Sequence, residues 1–200
     1  MKVLNIVAVF LFLSSCAAWR VGETEEINDF KDIKHKSEKM KIGLVFKDYK
    51  TYFNGEEKNN QGSLAKQKEF IELTQKIYKK SGLFQIQKRD SKDNEFIVEI
   101  SLTHKATSNT NTVIFTWATL FLYPSKSLDE YILTTTIKDN KGSIVFESSK
   151  KDSVIMYQQF FMLFAMPFIS PYKVEKSLLE QLNRSTIVDV YSDPSIMTSI

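Results

Sequence analysis

Residues 96–103 read FIVEISLT, and this short stretch decides the fold class of the chain. Phe96, Val98, Ile100 and Leu102 alternate with other residues, so these four apolar side chains fall on one face of a β-strand and polar ones on the other. A strand of this kind belongs to a sheet with one face on a core and one face in water. The sequence therefore predicts a half-exposed sheet.

The chain before this strand supplies further strands and a helix. Residues 42–46 and 84–87 show the same alternation of apolar and other residues. Between them, residues 63–80 carry apolar side chains at roughly helical spacing, with Ser63 placed to cap the helix and Gly82 placed to end it. This side of the chain is predicted to fold as strand, helix, strand.

The chain after this strand supplies a hairpin and a second helix. Residues 129–138 and 143–149 flank the turn-forming sequence DNKG at 139–142, which predicts two antiparallel strands. Residues 172–183 follow a helical pattern, and residues 187–190 suggest a short last strand. The order of elements predicts an α+β domain: an antiparallel sheet of about five strands with two or three helices packed on it.

Composition places the chain among ordinary globular proteins. It has 200 residues, of which 42% are hydrophobic and 26% charged, and this length suits one domain. The net charge is +3 and both signs are interspersed, so no nucleic-acid partner is expected. A single cysteine excludes an internal disulfide and any metal site made of several thiolates.

The N-terminus has the pattern of an export signal. Lys2 precedes an apolar run over residues 3–13, which ends in the small residues Ser14 and Ser15 before Cys16. Eleven helical residues cover about 16 Å, roughly half the hydrocarbon thickness of a membrane. The run is therefore predicted to be a cleavable signal and not a membrane span.

The sequence LSSC at residues 13–16 resembles the lipobox of bacterial lipoproteins. That resemblance implies a lipoprotein signal peptide over 1–15, cleavage before Cys16, and acyl chains on Cys16, with the membrane as partner. Two or three chains make such an anchor effectively stable. Ala17 stands where an Asp would retain many lipoproteins in the inner membrane, so the resemblance implies a cell-envelope protein of the outer membrane.

The rest of the chain divides into three parts. Residues 16–41 comprise the lipidated N-terminus and a polar stretch with little apolar periodicity, which predicts a tether between lipid and domain. Residues 42–191 form the single predicted α+β domain. Residues 192–200 are predicted to be a C-terminal tail.

Two apolar segments, residues 113–123 and 154–169, carry no charged side chain. One interpretation makes them a buried core strand and a buried core helix. The other exposes at least one of them as a surface that dips into the bilayer, grips a hydrophobic ligand or docks a partner. Trp117, Tyr123 and Tyr157 would suit a headgroup boundary. The candidate contact surface comprises Trp117, Phe121, Tyr157, Phe160, Phe161 and Phe164.

Short apolar motifs suggest a second, looser resemblance. LFLYP at 120–124, EYIL at 130–133, DNKG at 139–142 and MPF at 166–168 are similar to a group of uncharacterised bacterial envelope lipoproteins, over roughly residues 95–185. That group supplies no catalytic residues to assign to this chain.

Catalytic and metal-binding patterns are missing from the sequence. Its two histidines, His35 and His104, have no second His or Cys at ligand spacing, and there is no HExxH, GxSxG, GxGxxG or P-loop motif. Asp129 and Glu130 are neighbours in sequence and are predicted to be solvated charges. We therefore expect no enzyme activity, no cofactor and no metal site.

The resulting expectation is a lipid-anchored, non-catalytic protein that presents a binding or accessory domain to an envelope protein at the membrane surface. The alternative is a carrier or sensor for a hydrophobic ligand. Its wall would be formed by Phe115, Trp117, Phe121, Phe160, Phe161 and Phe164. That alternative requires an apolar cavity of about 300 Å³ or more between sheet and helix.

Overall fold

One mixed sheet with helices on one face forms the domain. The structure is a computed structural model and describes residues 16–22, 24–30, 39–58, 61–159 and 170–197. The strands are β1 (Cys16–Arg20), β2 (Met40–Phe53), β3 (Glu56–Glu57), β4 (Phe84–Gln87), β5 (Phe96–Ser108), β6 (Ser125–Asp139) and β7 (Ile144–Gln158). The helices are α1 (Gln61–Lys80), α2 (Thr110–Ala118), α3 (Pro171–Ser192) and the single turn α4 (Pro194–Met197).

In the described part of the chain, the sheet has seven strands in the order β1-β7-β6-β5-β2-β3, with β4 paired to β2. The α+β class is confirmed, but the prediction of about five antiparallel strands is wrong. Strand β2 pairs parallel with both β4 and β5, because α1 returns the chain to the end of the sheet where β2 began. The loop from β4 to β5 crosses over Gly43, where an added Cβ would lie 2.9 Å from the Asn94 side-chain nitrogen and 3.3 Å from the Arg89 backbone.

Strand β5, which contains residues 96–103, lies at the centre of the sheet. Phe96, Val98, Ile100 and Leu102 of β5 are all buried on the helix-covered face, as predicted. The hairpin is also confirmed, since β6 and β7 pair antiparallel and Gly142 adopts the left-handed conformation in the turn. Strand β6 begins four residues before its predicted start, and β7 continues nine residues past its predicted end.

The other face of the sheet is open and polar. The Glu99 carboxylate on this face forms ion pairs with Lys47 Nζ at 2.7 Å and with Lys138 Nζ at 2.9 Å. These two ion pairs link β2, β5 and β6. Burial raises the pKa of Glu99, but the hydrogen bonds and charges of the two lysines outweigh it and hold that pKa below the usual glutamate value. Lys151 and Glu130 form another ion pair on this face.

Helices α1 and α3 cover the opposite face and complete the core. Helix α1 is confirmed, although it begins at Gln61, so Ser63 lies within it and is not its cap. Gly82 ends it in the left-handed conformation, as predicted. Helix α3 runs on through residues 187–190, so the predicted last strand is wrong. Ile187 and Val190 continue the buried stripe of Leu178, Leu179 and Leu182 at helical spacing.

Two segments predicted to lie outside the domain pack on it. Residues 16–20 of the predicted tether form β1, which pairs with β7, and Ala17 and Ala18 are fully buried. A paired strand is not a free spacer. Farther along, the Ile27 amide donates to Gln181 Oε1 on α3 at 2.8 Å. In the predicted C-terminal tail, Ile196 is fully buried.

Candidate functional site

The termini of four strands lie together at one end of the sheet. The register pairs Cys16, the first residue of β1, with Gln158 at the end of β7, and pairs Gln158 in turn with Ser125 at the start of β6. Ser108 at the end of β5 pairs with Ser127 next to it. We call this the Cys16 end of the sheet. The β6–β7 hairpin turn lies at the other end, roughly 45 Å away along the 15 residues of β6.

Helix α2 and the loop after it connect β5 to β6 at the Cys16 end. Asn109 caps the helix through its side-chain oxygen, which accepts from the amides of Asn111 and Thr112. Thr116 is buried, but the apolar side chains around it face solvent. Their exposed fractions are 59% for Ile114, 61% for Phe115, 55% for Trp117, 70% for Leu120, 64% for Leu122 and 50% for Tyr123. We call these six side chains the apolar knob.

The knob settles the question that residues 113–123 left open. The buried-strand interpretation is wrong, and the interpretation as an exposed surface is the one that the structure supports. Large apolar side chains in a contiguous exposed group are unusual on a monomer and generally mark a contact surface. In the other apolar segment, residues 154–158 belong to β7 and residues 160–169 lie outside the described part of the chain.

The tip of the knob is held in a conformation that bulky residues avoid. Leu120 and Phe121 have φ angles of 51° and 64°, in the left-handed region. The Phe121 amide donates to Thr116 O at 2.7 Å and the Leu120 amide to Trp117 O at 3.1 Å, which is the Schellman arrangement that normally uses glycine. The fold therefore tolerates backbone strain while it keeps a leucine at this exposed position.

Replacing Leu120 by glycine is expected to raise the free energy of unfolding by about 0.5 kcal/mol, because relief of the left-handed strain exceeds the entropy cost of glycine. Urea denaturation measures this change. The matched control is Leu122→Gly, since Leu122 is similarly exposed but has no positive φ, and this variant is expected to be less stable. Equal destabilisation by both variants would show that position 120 is not strained.

Aromatic rings contact one another within the knob and on the strands beside it. Trp117 and Phe121 pack with ring centroids 5.0 Å apart, and Phe115 and Tyr123 with centroids 6.3 Å apart. On the neighbouring strands, the Tyr157 ring meets the Trp19 ring edge-on at 5.6 Å, and Lys126 Nζ lies 6.0 Å from the centroid of Tyr157.

The predicted contact residues are thus only partly brought together. Trp117 and Phe121 are in contact, whereas Tyr157 packs against Trp19 on β1; Phe160, Phe161 and Phe164 lie outside the described residues. Leu120 belongs to the apolar segment 113–123 but is not among the predicted contact residues; its exposure and its positive φ distinguish it in the structure. The predicted lipidation residue Cys16 is placed at the start of β1, and its role stays a prediction.

A buried histidine–carboxylate pair lies on the helix-covered face of the sheet. His104 Nε2 is 3.3 Å from Asp129 Oδ2, and the His104 ring stacks on Tyr131 at 4.5 Å with the planes 3° apart. Only 6% of His104 and 4% of Asp129 are exposed, so the prediction that Asp129 is a solvated charge is wrong. Glu130, its neighbour in sequence, faces the opposite side of the sheet.

The phenols near this pair are held neutral. Burial raises the pKa of Tyr131, and the negative charges of Glu175 and Asp129 raise it further. Burial, with the charge of Glu175 adding to it, raises the pKa of Tyr49 to about 12. A general acid or base works best with a pKa near the operating pH. These tyrosines therefore serve as packed, protonated side chains at neutral pH.

A cavity of about 350 Å³ lies between α1, α3 and residues 28–30. Its lining includes Lys76, Lys80, Glu180 and Arg184 beside Phe30 and Leu73. It lies outside the helix layer and not between sheet and helix. Of the aromatic wall predicted for a hydrophobic carrier, Phe115, Trp117 and Phe121 do not line it, and the other three side chains lie outside the described residues. Its charged lining does not suit an apolar ligand.

The described residues contain neither a metal-binding cluster nor a membrane-spanning helix. In that part of the chain, no group of three or more His, Cys, Asp or Glu side chains is placed to hold a metal ion. None of the helices described is long and apolar enough to cross a membrane.

Comparison with known proteins gives similarity in structure alone. No protein-family model and no curated protein matches the chain. A minor lipoprotein from Acinetobacter baumannii is similar over 76% of this chain and 92% of its own, with 10% identity and a TM-score of 0.46. A homologue of a neuraminyllactose-binding hemagglutinin from Helicobacter pylori is similar over 88% and 94%, with 8% identity and a TM-score of 0.44. Similarity at this level assigns neither family nor function.

Proposed function

We propose that this protein is a non-catalytic lipoprotein of the cell envelope, anchored through lipid on Cys16, which presents its sheet domain to a protein partner at the membrane surface. The observation that carries the proposal is the position of Cys16. Cys16 ends the lipobox-like sequence and is also the first residue of β1. It therefore lies at the Cys16 end of the sheet, which bears the apolar knob.

This placement leaves almost no free chain between the lipid on Cys16 and the folded domain. Ala17 and Ala18, directly after Cys16, are already buried within the sheet layer. A lipid on Cys16 would hold the Cys16 end of the sheet against the bilayer, with the hairpin turn of Asp139–Gly142 roughly 45 Å from it. The polar open face of the sheet then stands beside the membrane surface, accessible to an envelope protein.

The absence of charge in the strands nearest the anchor supports the same orientation. Residues 16–19 and 153–159 carry no charged side chain, and residues 106–128 carry only Lys126. Charged groups are costly to bury in the apolar layer of a membrane, and this end of the sheet has few of them. Ala17, in place of Asp, favours the outer membrane as the location.

The decisive experiment is the mass of the N-terminal peptide of protein isolated from bacterial membranes. We expect it to begin at Cys16 and to carry acyl chains, and we expect Cys16→Ala to lose these chains and leave the membrane fraction. The matched control is Ser15→Ala, which keeps a small residue before Cys16 and is expected to be processed normally. An unmodified Cys16 thiol in the mature wild-type protein would refute the anchor.

A further inference from the structure

We propose that the apolar knob inserts into the interfacial layer of a bilayer and forms a second membrane contact beside Cys16. This inference deepens the proposed function, since the lipid anchor would select the membrane that the knob meets. The occupant assigned to the knob is a lipid surface and not a protein.

The knob and the anchor residue Cys16 lie at the same end of the sheet. Cys16 pairs with Gln158, Gln158 pairs with Ser125, and the knob occupies the connection that leads into Ser125. The chain therefore cannot place Cys16 at a lipid surface without bringing residues 110–124 toward the same surface.

The chemistry of the knob suits the boundary between headgroups and acyl chains. Its tip is aliphatic, with Leu120 and Leu122, and its flanks carry Trp117 and Tyr123, whose rings are amphipathic. Acidic side chains are missing from residues 106–128, and the one charged residue there, Lys126, is a cation that anionic headgroups attract.

Backbone strain at the tip is a second, independent observation. A glycine at position 120 would form the same Schellman turn without strain, yet the chain keeps a leucine there with 70% of its surface exposed. Strained backbone of this kind is found where a side chain is held in place for function. Insertion into lipid gives Leu120 the apolar surroundings that the fold itself does not provide.

The test uses the full-length gene product as purified from cells and places it in vesicles of phosphatidylethanolamine and phosphatidylglycerol, with or without brominated acyl chains. Trp19→Phe leaves Trp117 as the single tryptophan. We expect brominated lipid to remove most of the Trp117 emission and plain lipid to shift it to shorter wavelength. Leu120→Gly in the same background is expected to lose much of this quenching while the domain stays folded.

The matched control moves the reporter to the far end of the sheet. In Trp19→Phe/Trp117→Phe/Ile144→Trp, the tryptophan replaces an exposed residue beside the hairpin turn, and its emission is expected to be insensitive to bromine. Trp117 emission that ignores bromine, or equal quenching of both reporters, overturns the proposal. Burial of Trp117 in a concentration-dependent dimer without quenching also overturns it and assigns the knob to a second copy.

The same samples separate this inference from the proposed function. The mass of each sample shows whether Cys16 carries lipid, and unlipidated protein is added to the same vesicles from solution. Lipidated protein without quenching refutes the knob contact alone. If the protein isolated from cells carries no lipid on Cys16, the anchor is refuted, and quenching of that protein leaves the knob as a membrane-binding element.

Discussion

Replacing Arg20 by alanine is expected to lower the free energy of unfolding by about 3–5 kcal/mol, because it leaves a buried carboxylate without its partner. Arg20 on β1 binds Asp152 on β7 through Nη2 at 2.6 Å and through Nε at 2.8 Å. The Asp152 side chain is fully buried, whereas 16% of the Arg20 side chain is exposed. Urea denaturation measures the loss, and hydrogen exchange shows whether β1 opens first.

The asymmetry in burial predicts an order among the variants. Asp152→Ala leaves a guanidinium that can reach water, so it is expected to cost less than Arg20→Ala. Arg20→Met/Asp152→Leu removes both charges and is expected to recover most of the stability. The control is Lys58→Ala, which breaks the exposed pair with Glu56 and is expected to change nothing measurable. If Arg20→Ala matches this control, the ion pair does not hold β1 in place.

Replacing His104 by alanine is the second change expected to destabilise the domain strongly, by about 3 kcal/mol or more. The substitution removes the ring stacked on Tyr131 and leaves the Asp129 carboxylate, which is 4% exposed, without the contact at 3.3 Å. Thermal and urea unfolding measure the effect.

Matched variants separate the roles of the two side chains. Asp129→Asn keeps an oxygen near His104 Nε2 and is expected to cost less than His104→Ala. The double variant His104→Leu/Asp129→Leu replaces the pair by apolar side chains and is expected to be more stable than His104→Ala. Equal loss from the single and double variants would mean that the lost ring volume, and not the unpaired carboxylate, sets the cost.

Local patterns were sufficient wherever one element decides the structure. The alternation in residues 96–103 is a property of a single strand, and the turn at 139–142 brings neighbouring segments together, so both were predictable. Helix α1 follows from its own apolar spacing, and Gly82 ends it because glycine accepts the left-handed conformation without strain.

Contacts between residues far apart in the sequence could not be predicted from local patterns. Arg20 and Asp152 are 132 residues apart, and neither has a local pattern that marks a buried ion pair. Asp129 reads as a surface charge beside Glu130, but strand geometry points consecutive side chains to opposite faces, and Asp129 lies on the buried face with Tyr131 and Leu133.

The sequence by itself determined the half-exposed sheet, its central hairpin, the helix predicted over residues 63–80 and the lipobox-like cysteine, because each depends on the period or the chemistry of a short segment. Only the tertiary structure decided that β2 pairs parallel with its neighbours, that Cys16 heads an edge strand, and that residues 113–123 are exposed. An uncharged apolar run reads the same whether protein or solvent surrounds it, since burial depends on which distant strands and helices reach that side of the sheet.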